Sequence, residues 1–267
     1  MAHPSTEHPT VEADGVAQAL SEIWELLTGA VPGAWCERRG GAIAAVTGAD
    51  AANLNGVWVF SASADPGITD DLLDRVAATG LSHCLQLRPG ASDALVARAE
   101  RRGMVVSETV PLMALDDRGA LGGVPAPPEL ALRQLEPDEA ELHVLVATAG
   151  FGAPEQIFRQ VVTPATLSLP GVRCYIGEAG GHPVTTGIGV SLGGAVGIFN
   201  VATPPEHRGR GYGAAVTARA ARDGLAAGGR FAFLQSSPDG FPVYRRMGFR
   251  TLEHWRTWLS EADASSA

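Results

Sequence analysis

The spacing of apolar residues divides the chain into alternating helices and strands. Residues 16–27 repeat apolar side chains at helical spacing, whereas residues 57–60 form a short apolar run typical of a buried strand. Glycine, proline and asparagine clusters separate these segments and predict turns. The predicted order in the first half is helix 16–27, strands 34–46 and 57–60, helix 68–79, strand 84–87, helix 92–102 and strand 105–115.

The second half follows a related pattern. It predicts strand 130–135, helices 138–149 and 154–162, a hairpin of 172–177 with 185–190, strand 195–202, helix 212–227, strand 231–235, helix 241–247 and strand 249–259. Both halves close with a strand, a helix and a similar sequence, Arg101–Met104 in the first and Arg245–Phe249 in the second. This suggests an internal duplication, although many α/β domains end in a helix, a glycine and a strand. The Gly- and Pro-rich segment 116–128 between the halves predicts a linker.

Composition narrows the classes of function. The net charge is −9 and all 20 basic residues are arginine, which argues against a general binder of nucleic acids or anionic membranes. No apolar run reaches the roughly 20 residues needed to span a bilayer. Residues 1–10 are polar and lack the apolar core of a signal peptide, so they predict a disordered tail. Cys36, Cys84 and Cys174 are widely spaced and odd in number, which indicates reduced thiols in a cytoplasmic protein without a metal site.

One loop in the second half combines glycines and arginines in a pattern typical of an anion-binding site. Pro204 and Pro205 end the preceding strand because they cannot donate to a ladder. The sequence Arg-Gly-Arg-Gly-Tyr-Gly of residues 208–213 follows, and a helix starts within it. Glycines let the backbone turn its N–H groups toward one point, and the helix dipole adds positive potential there. Arg208 and Arg210 supply cations, so the loop predicts a pyrophosphate site.

A dinucleotide site would use similar glycines. Gly209-x-Gly211-x-x-Ala214 fits that fingerprint, which also requires an acidic residue about 20 positions further on to bind a ribose. The corresponding strand ends in Leu-Gln-Ser at 234–236, without a carboxylate. The remaining chain is also too short for a doubly wound sheet. A Walker loop is excluded because the sequence contains no lysine.

The loop resembles a family signature. Arg208-x-x-Gly211-x-Gly213 looks like the Arg/Gln-x-x-Gly-x-Gly/Ala motif of the GNAT superfamily of acetyl-CoA-dependent N-acetyltransferases, and Tyr244-x-x-x-Gly248-Phe249 resembles its closing element. The resemblance spans residues 130–259. It implies an α/β (α+β) fold of two tandem GNAT-like mixed β-sheets flanked by helices. The domains would be a tail (1–10), a degenerate copy (11–116), a linker (117–129), an acetyl-CoA-binding domain (130–260) and a tail (261–267). The first copy is degenerate because its loop, residues 61–67, has an aspartate and no cation.

The resemblance also implies a mechanism and a set of site residues. Acetyl would pass directly from acetyl-CoA, without a metal, to an amine of a small molecule or peptide. Tyr244 would protonate the departing thiolate, and Ser237 would replace an asparagine that the family often has. The implied cofactor-binding residues are Val201, Ala202 and Thr203 for pantetheine, and Arg208, Gly209, Arg210, Gly211, Tyr212, Gly213 and Ala214 for the pyrophosphate.

The general base stays open. Gln235 stands where some family members have a glutamate, and the other candidates are Glu206, His207, His182 or water. The missing base keeps a second interpretation, a non-catalytic acyl-CoA-binding regulatory module, and Tyr244 would then only pack against its helix. The acceptor is expected over residues 151–154, and the acidic chain favours a cationic amine without a nucleic-acid or membrane partner. A homodimer is left open.

Overall fold

The computed structural model describes residues 11–265, so the predicted tail of residues 1–10 lies outside the described range. The first half contains three helices and five strands. They are α1 (Ala13–Gly29), β1 (Trp35–Arg39), β2 (Ala42–Val46), β3 (Asn55–Val59), α2 (Pro66–Ala77), β4 (Cys84–Leu87), α3 (Asp93–Arg101) and β5 (Met104–Leu115). The prediction of one strand over 34–46 is wrong. Gly40 and Gly41 both have positive φ, at 60° and 84°, and they turn the segment into the β1–β2 hairpin.

The second half repeats the alternation of helices and strands. Its elements are β6 (Leu130–Gln134), α4 (Ala140–Phe151), α5 (Glu155–Val161), α6 (Pro164–Leu167), β7 (Val172–Ala179), β8 (His182–Leu192), β9 (Ala195–Ala202), α7 (Tyr212–Ala226), β10 (Phe231–Gln235), α8 (Phe241–Arg246), β11 (Arg250–Ser260) and α9 (Glu261–Ala264). Helix α6 is absent from the sequence prediction because it is a single turn. The Thr163 side chain caps it, and Pro164 occupies its first position.

The strands of both halves join into one mixed sheet of eleven strands. Its order is β1-β2-β3-β4-β11-β5-β10-β9-β8-β7-β6. The two halves exchange their last strands, because β5 of the first half lies between β10 and β11 of the second. The pair of mixed sheets predicted from sequence is therefore present as one continuous sheet. The two exchanged strands pair only with strands of the other half: β5 with β10 and β11, and β11 with β4 and β5.

The side chains of the central strands alternate between two cores on opposite faces of the sheet. Phe231 and Phe233 of β10 belong to one core, whereas Ala232 and Leu234 belong to the other. The first core contains α1, α4 and α6, and the second contains α7 and α8. Helix α1 belongs to the first half of the chain, yet it packs on β8 and β9 of the second half. This placement brings the first half to the edge of the site described below.

The predicted linker lies on α7. Residues Arg118–Gly123 form a 3₁₀ turn, and Leu121 is buried against the α7 core. The Arg222 guanidinium on α7 donates to the carbonyl of Val124 at 2.8 Å. None of the helices described within residues 11–265 is long and apolar enough to cross a membrane.

Candidate active site

A gap opens in the sheet at the ends of β9 and β10. These parallel strands are paired from Phe231–Ala195 to Phe233–Gly197. Beyond that point β9 continues to Ala202 and β10 to Gln235, and both strand ends line the same cavity rather than pairing with each other. Strand β9 therefore keeps β8 on one side and presents its other backbone edge to the gap.

A β-bulge shapes β9 at this gap. Thr186 and Ile188 of β8 are two residues apart, whereas their partners Ala202 and Phe199 are three apart, so β9 carries an extra residue. Asn200 lies in the bulge with φ of 50°, and it is the one non-glycine residue with positive φ in the described chain. Its side chain lines the cavity. A strained backbone in a cleft is typical of a functional site, and sequence pattern alone did not single out Asn200.

The three residues predicted to bind pantetheine lie at the end of β9. The Ala202 carbonyl accepts a hydrogen bond from Thr185 Oγ1 at 3.0 Å, and the Thr203 carbonyl accepts one from Arg208 Nε at 3.1 Å. Val201 lies in the bulge and lines the cavity. Of the three, Val201 is thus the residue whose backbone is best placed to meet a ligand in the gap.

The glycine loop follows directly. Gly209 and Gly211 have φ values of 76° and 81°, a conformation that side-chain-bearing residues rarely adopt. Gly211 is the N-cap of α7, and no side chain accepts from the first turn of that helix. The N–H groups of Tyr212, Gly213 and Ala214 precede the first intrahelical bond, from Ala215 to the Gly211 carbonyl. These amides have no acceptor in the described chain, which is what the predicted pyrophosphate site requires.

The two loop arginines have different surroundings. Arg208 is tied down, because its guanidinium donates to the carbonyls of Thr203 and Gly150, at 3.1 and 2.8 Å. It therefore links the end of β9 to α4 and holds the loop in place. Arg210 is exposed and makes no ion pair or hydrogen bond to any residue in the described range. Arg210 is the cation that remains available to a phosphate.

The Tyr212 side chain points away from this anion site. It is buried among Leu130, Val184 and Ala215, and its hydroxyl donates to Glu129 at 3.0 Å. Of the predicted contacts of Tyr212, only the backbone N–H can reach the loop. The side chain instead anchors the start of α7 to the residue preceding β6.

Tyr244 lines the same cavity as the unpaired ends of β9 and β10. It projects from α8, packs edge-on against Phe249 with ring centroids 6.0 Å apart, and lines the cavity beside Ser237. A Cβ on Gly240 would come within 2.7 Å of the tyrosine ring, so the glycine makes room for it. Burial raises the pKa of the Tyr244 phenol, and the Thr217 hydroxyl opposes that rise. The phenol is therefore protonated at neutral pH and can act as a donor.

The cavity has a volume of about 290 Å³ and lies between the two halves of the chain. Side chains of α1, α5, α6 and the sheet form its walls. Sequence reasoning missed the α1 contribution because α1 is far from the loop along the chain. The base candidates Glu206, His207 and His182 do not line it, and Gln235 does. Gln235 Nε2 donates to Gln86 Oε1 at 3.0 Å, which fixes the orientation of its amide.

The fold and this geometry can be compared with known proteins. Residues 137–249 match the model of the acetyltransferase (GNAT) family. The second half of the chain contains a GNAT acetyltransferase domain. The matched range includes the GNAT domain's glycine loop, its strand gap and Tyr244. No curated protein matches the sequence.

Solved structures of GNAT proteins share the fold over nearly the whole chain. A GCN5-related N-acetyltransferase from Kribbella flavida is 20% identical, with a TM-score of 0.69, covering 94% of this chain and 97% of that one. A GCN5-related N-acetyltransferase-like protein from Streptococcus suis is 12% identical, with a TM-score of 0.62 and coverages of 92% and 98%. A tandem GNAT protein from the clavulanic acid biosynthesis pathway is 17% identical, with a TM-score of 0.57 and coverages of 92% and 94%. At these identities the likeness establishes the tandem GNAT fold and not a substrate.

Within residues 11–265, no group of three or more histidine, cysteine, aspartate or glutamate side chains could hold a metal ion. One buried polar cluster lies outside the cavity. His143 Nδ1 lies 2.7 Å from Thr186 Oγ1 and 3.4 Å from Cys174 Sγ. Burial lowers the pKa of His143 to about 4 and raises that of Cys174 to about 12. A thiol with such a pKa is not a nucleophile at neutral pH, so we assign this cluster to the core.

Proposed function

We propose that the protein is an acetyl-CoA-dependent N-acetyltransferase that transfers acetyl directly to an amine of a small molecule or peptide. The observation that carries this proposal is the position of Tyr244. It lines the same cavity as the unpaired ends of β9 and β10, and the glycine loop follows the end of β9. A donor molecule held by the loop and the gap would present its reactive end to Tyr244.

The chain's own groups would hold the co-substrate in two places. The amides at the start of α7 and the Arg210 guanidinium would bind the pyrophosphate, since both lack partners within the described residues. The free edge of β9 around Val201 would bind the pantetheine amides by extending the sheet. Acetyl-CoA supplies an activated thioester, and these contacts would aim it into the cavity.

Tyr244 would act as the general acid. Its phenol is protonated and donates a hydrogen bond, then a proton, to the sulfur as the carbon–sulfur bond breaks. The amine nitrogen forms the new bond to the acetyl carbon and releases one proton to solvent, from which the phenolate recovers its own. Among the described residues, the cavity lining has no carboxylate or imidazole that could accept the amine proton, so the amine would enter as the free base.

A thiol-release assay with a panel of amines tests this proposal. We expect free CoA to appear together with an acetylated product that mass spectrometry identifies. Tyr244→Phe should lower kcat at least tenfold. Tyr175→Phe is the matched control, because the Tyr175 hydroxyl bonds Asp223 and the residue does not line the cavity. Equal turnover of wild type and Tyr244→Phe would remove Tyr244 from the mechanism.

The second interpretation, a non-catalytic acyl-CoA-binding regulatory module, makes a different prediction. Titration calorimetry would then show CoA binding while no amine in the panel is acetylated. The absence of a general base from the cavity is the observation that favours it. A cavity beside a buried phenol favours catalysis instead, because a module that only binds CoA has no use for either.

We also propose a cytoplasmic location, without a nucleic-acid or membrane partner. Cys36, Cys84 and Cys174 form no disulfide, and two of them are buried, which supports a reducing compartment. A homodimer remains a proposal that sedimentation would test.

A further inference from the structure

We propose that the second substrate is an amine on an apolar body without a second charge, and that the first half of the chain forms the wall that selects it. This inference rests on the proposed acetyl transfer and specifies its acceptor. It is carried by the lining of the cavity, by the origin of that lining, and by one buried hydroxyl that has no partner.

The cavity lining carries no formal charge. Most of the side chains that line it are apolar, and the remainder are threonine, asparagine, glutamine, serine and one tyrosine. Tyr244 is the one titratable side chain among the described residues that line it. A second ammonium group on the acceptor would lose its hydration there without gaining a counter-charge. The net charge of −9 favoured a cationic amine in the sequence analysis. None of the charged residues that produce it is among the described residues that line the cavity.

The first half supplies one side of this cavity. It is lined by Ile23, Trp24, Leu27 and Thr28 of α1 and by Leu54, the last residue of a 3₁₀ turn (Ala52–Leu54) that precedes β3. Trp24 is held by stacking on Trp58, with ring centroids 4.8 Å apart. The first half of the chain, which lacks the cations of the glycine loop, thus contributes to the cavity proposed for the acceptor.

One polar group in this wall lacks a hydrogen-bond partner. Thr28 is 2% exposed, and its hydroxyl has no hydrogen-bond partner among the described residues. Buried hydroxyl groups in native proteins are normally paired, so a ligand or water is expected there. An acyl chain longer than acetyl would leave this hydroxyl unpaired. An apolar acceptor that also carries one neutral hydrogen-bonding group would pair this hydroxyl.

The apolar cavity also accounts for the missing base. Desolvation disfavours a charged amine and lowers its pKa, by as much as 3–5 units at full burial. An amine that enters such a cavity loses its proton to solvent on the way in. The nucleophile is then neutral without help from a carboxylate or a histidine.

Two acceptors that differ by one charge test the proposal. For the wild-type enzyme with acetyl-CoA, kcat/KM for n-hexylamine should exceed that for 1,6-diaminohexane at least tenfold. Equal values, or a preference for the diamine, would overturn the proposal. If neither amine is acetylated, the proposed function fails separately. Calorimetry with the CoA-bound protein then still tests the cavity, because hexylamine should bind more tightly than the diamine.

A charge placed in the wall should reverse this selectivity. Thr28→Asp should raise the ratio of kcat/KM for the diamine to that for hexylamine at least tenfold, whereas the isosteric Thr28→Asn should not. If Thr28→Asp does not fold, Leu54→Asp and Leu54→Asn form an equivalent pair at a more exposed position. A loss of stability alone lowers both activities and leaves their ratio unchanged. An unchanged ratio in a folded Asp variant would refute the role of the first half.

A donor with a longer acyl chain tests whether the cavity holds the acyl group instead of the acceptor amine. If octanoyl-CoA is used faster than acetyl-CoA and Thr28→Asp abolishes that preference, the cavity holds the acyl chain and our assignment is wrong. We expect acetyl-CoA to be the better donor in both proteins.

Discussion

The anion loop makes a quantitative prediction because its geometry depends on glycine. Gly211 caps α7 with φ of 81°, and a Cβ there would meet only Pro127 Cγ, at an ordinary 3.7 Å. The Gly211→Ala substitution therefore causes no steric clash, and it destabilises the loop only through the unfavourable backbone conformation. A side-chain-bearing residue in the left-handed region costs about 1–2 kcal/mol. This strain must appear either in the free energy of unfolding or in the free energy of CoA binding.

The two outcomes can be distinguished. If the loop keeps its conformation, unfolding becomes easier by about 1–2 kcal/mol and the Kd of CoA is unchanged. If the free loop relaxes, stability is preserved, but CoA must restore the strained form, and its Kd rises about 5- to 30-fold. We expect the second outcome, because the first turn of α7 is exposed at Gly211 and has no side-chain cap to hold it.

Calorimetric titration of CoA and urea unfolding measure both quantities on the same protein. Gly80→Ala is the matched control, since Gly80 has φ of 72°, open space around its Cβ position and a location in the first half. It should lose stability and leave the Kd unchanged. If Gly211→Ala changes neither quantity, the argument that these amides form the CoA site is refuted.

Three further predictions follow from single groups. Arg210→Ala should raise the Kd of CoA about tenfold while Arg210→Lys restores part of it, and a Kd equal to that of wild type would show that this exposed cation does not meet the phosphates. The pH profile of kcat should rise with deprotonation of the acceptor and fall only above pH 10, because burial raises the pKa of Tyr244; a fall near neutrality would assign the acid to another group. His143 has its pKa lowered to about 4 from about 6.5, so the folded state resists its protonation, and stability should be complete above pH 6.5 and fall as the pH approaches 4. The loss at pH 4 should reach about 3 kcal/mol relative to His143→Gln in urea unfolding, and parallel curves for the two proteins would contradict it.

The sequence was most informative where local conformation and chemistry coincide. The glycine loop could be predicted because positive φ, the end of a strand at two prolines and the start of a helix all leave local signals. Tyr244 could be predicted because the glycine and phenylalanine that follow it form a recognisable motif. The Arg208 side chain was assigned to the cofactor, but it bonds to carbonyls of the loop and α4, contacts that no local pattern reveals.

The cavity and the sheet could not be predicted, because they depend on pairings distant in the sequence. The exchange of β5 and β11 joins residues more than a hundred positions apart, and hydrophobic alternation does not specify which strand is the partner. The contribution of α1 to the cavity could not be predicted for the same reason. The apolar face of α1 indicates that the helix packs against the protein core, but it does not identify the strands on which it packs. The conformation of Asn200 is fixed by the register of β8 against β9, so it too depends on tertiary structure.

The two halves show how a duplicated fold can divide its functions. Helices α2 and α7 both follow a strand end, and in both the amides of the first turn have no acceptor within the helix. In the first half the Asp65 carboxylate accepts from Gly67 N and Ile68 N, at 2.8 and 2.9 Å, so that anion site is filled by the chain itself. In the second half Gly211 leaves the same position open. Self-capping stabilises α2 by about 1 kcal/mol, and it leaves the Gly67 and Ile68 amides without a free N–H for a phosphate.

The exchange of β5 and β11 makes the first half part of the sheet around the gap. Strand β5 of the first half pairs with one edge of β10. The other edge of β10 pairs with β9 only as far as Phe233 and then faces the gap. Separating the halves would expose the edge of β10 that pairs with β5 and remove the α1 side of the cavity, so the second half alone is not a smaller version of the same site. If the proposed acceptor site is correct, retention of the first half follows from its share of the cavity wall and of the sheet.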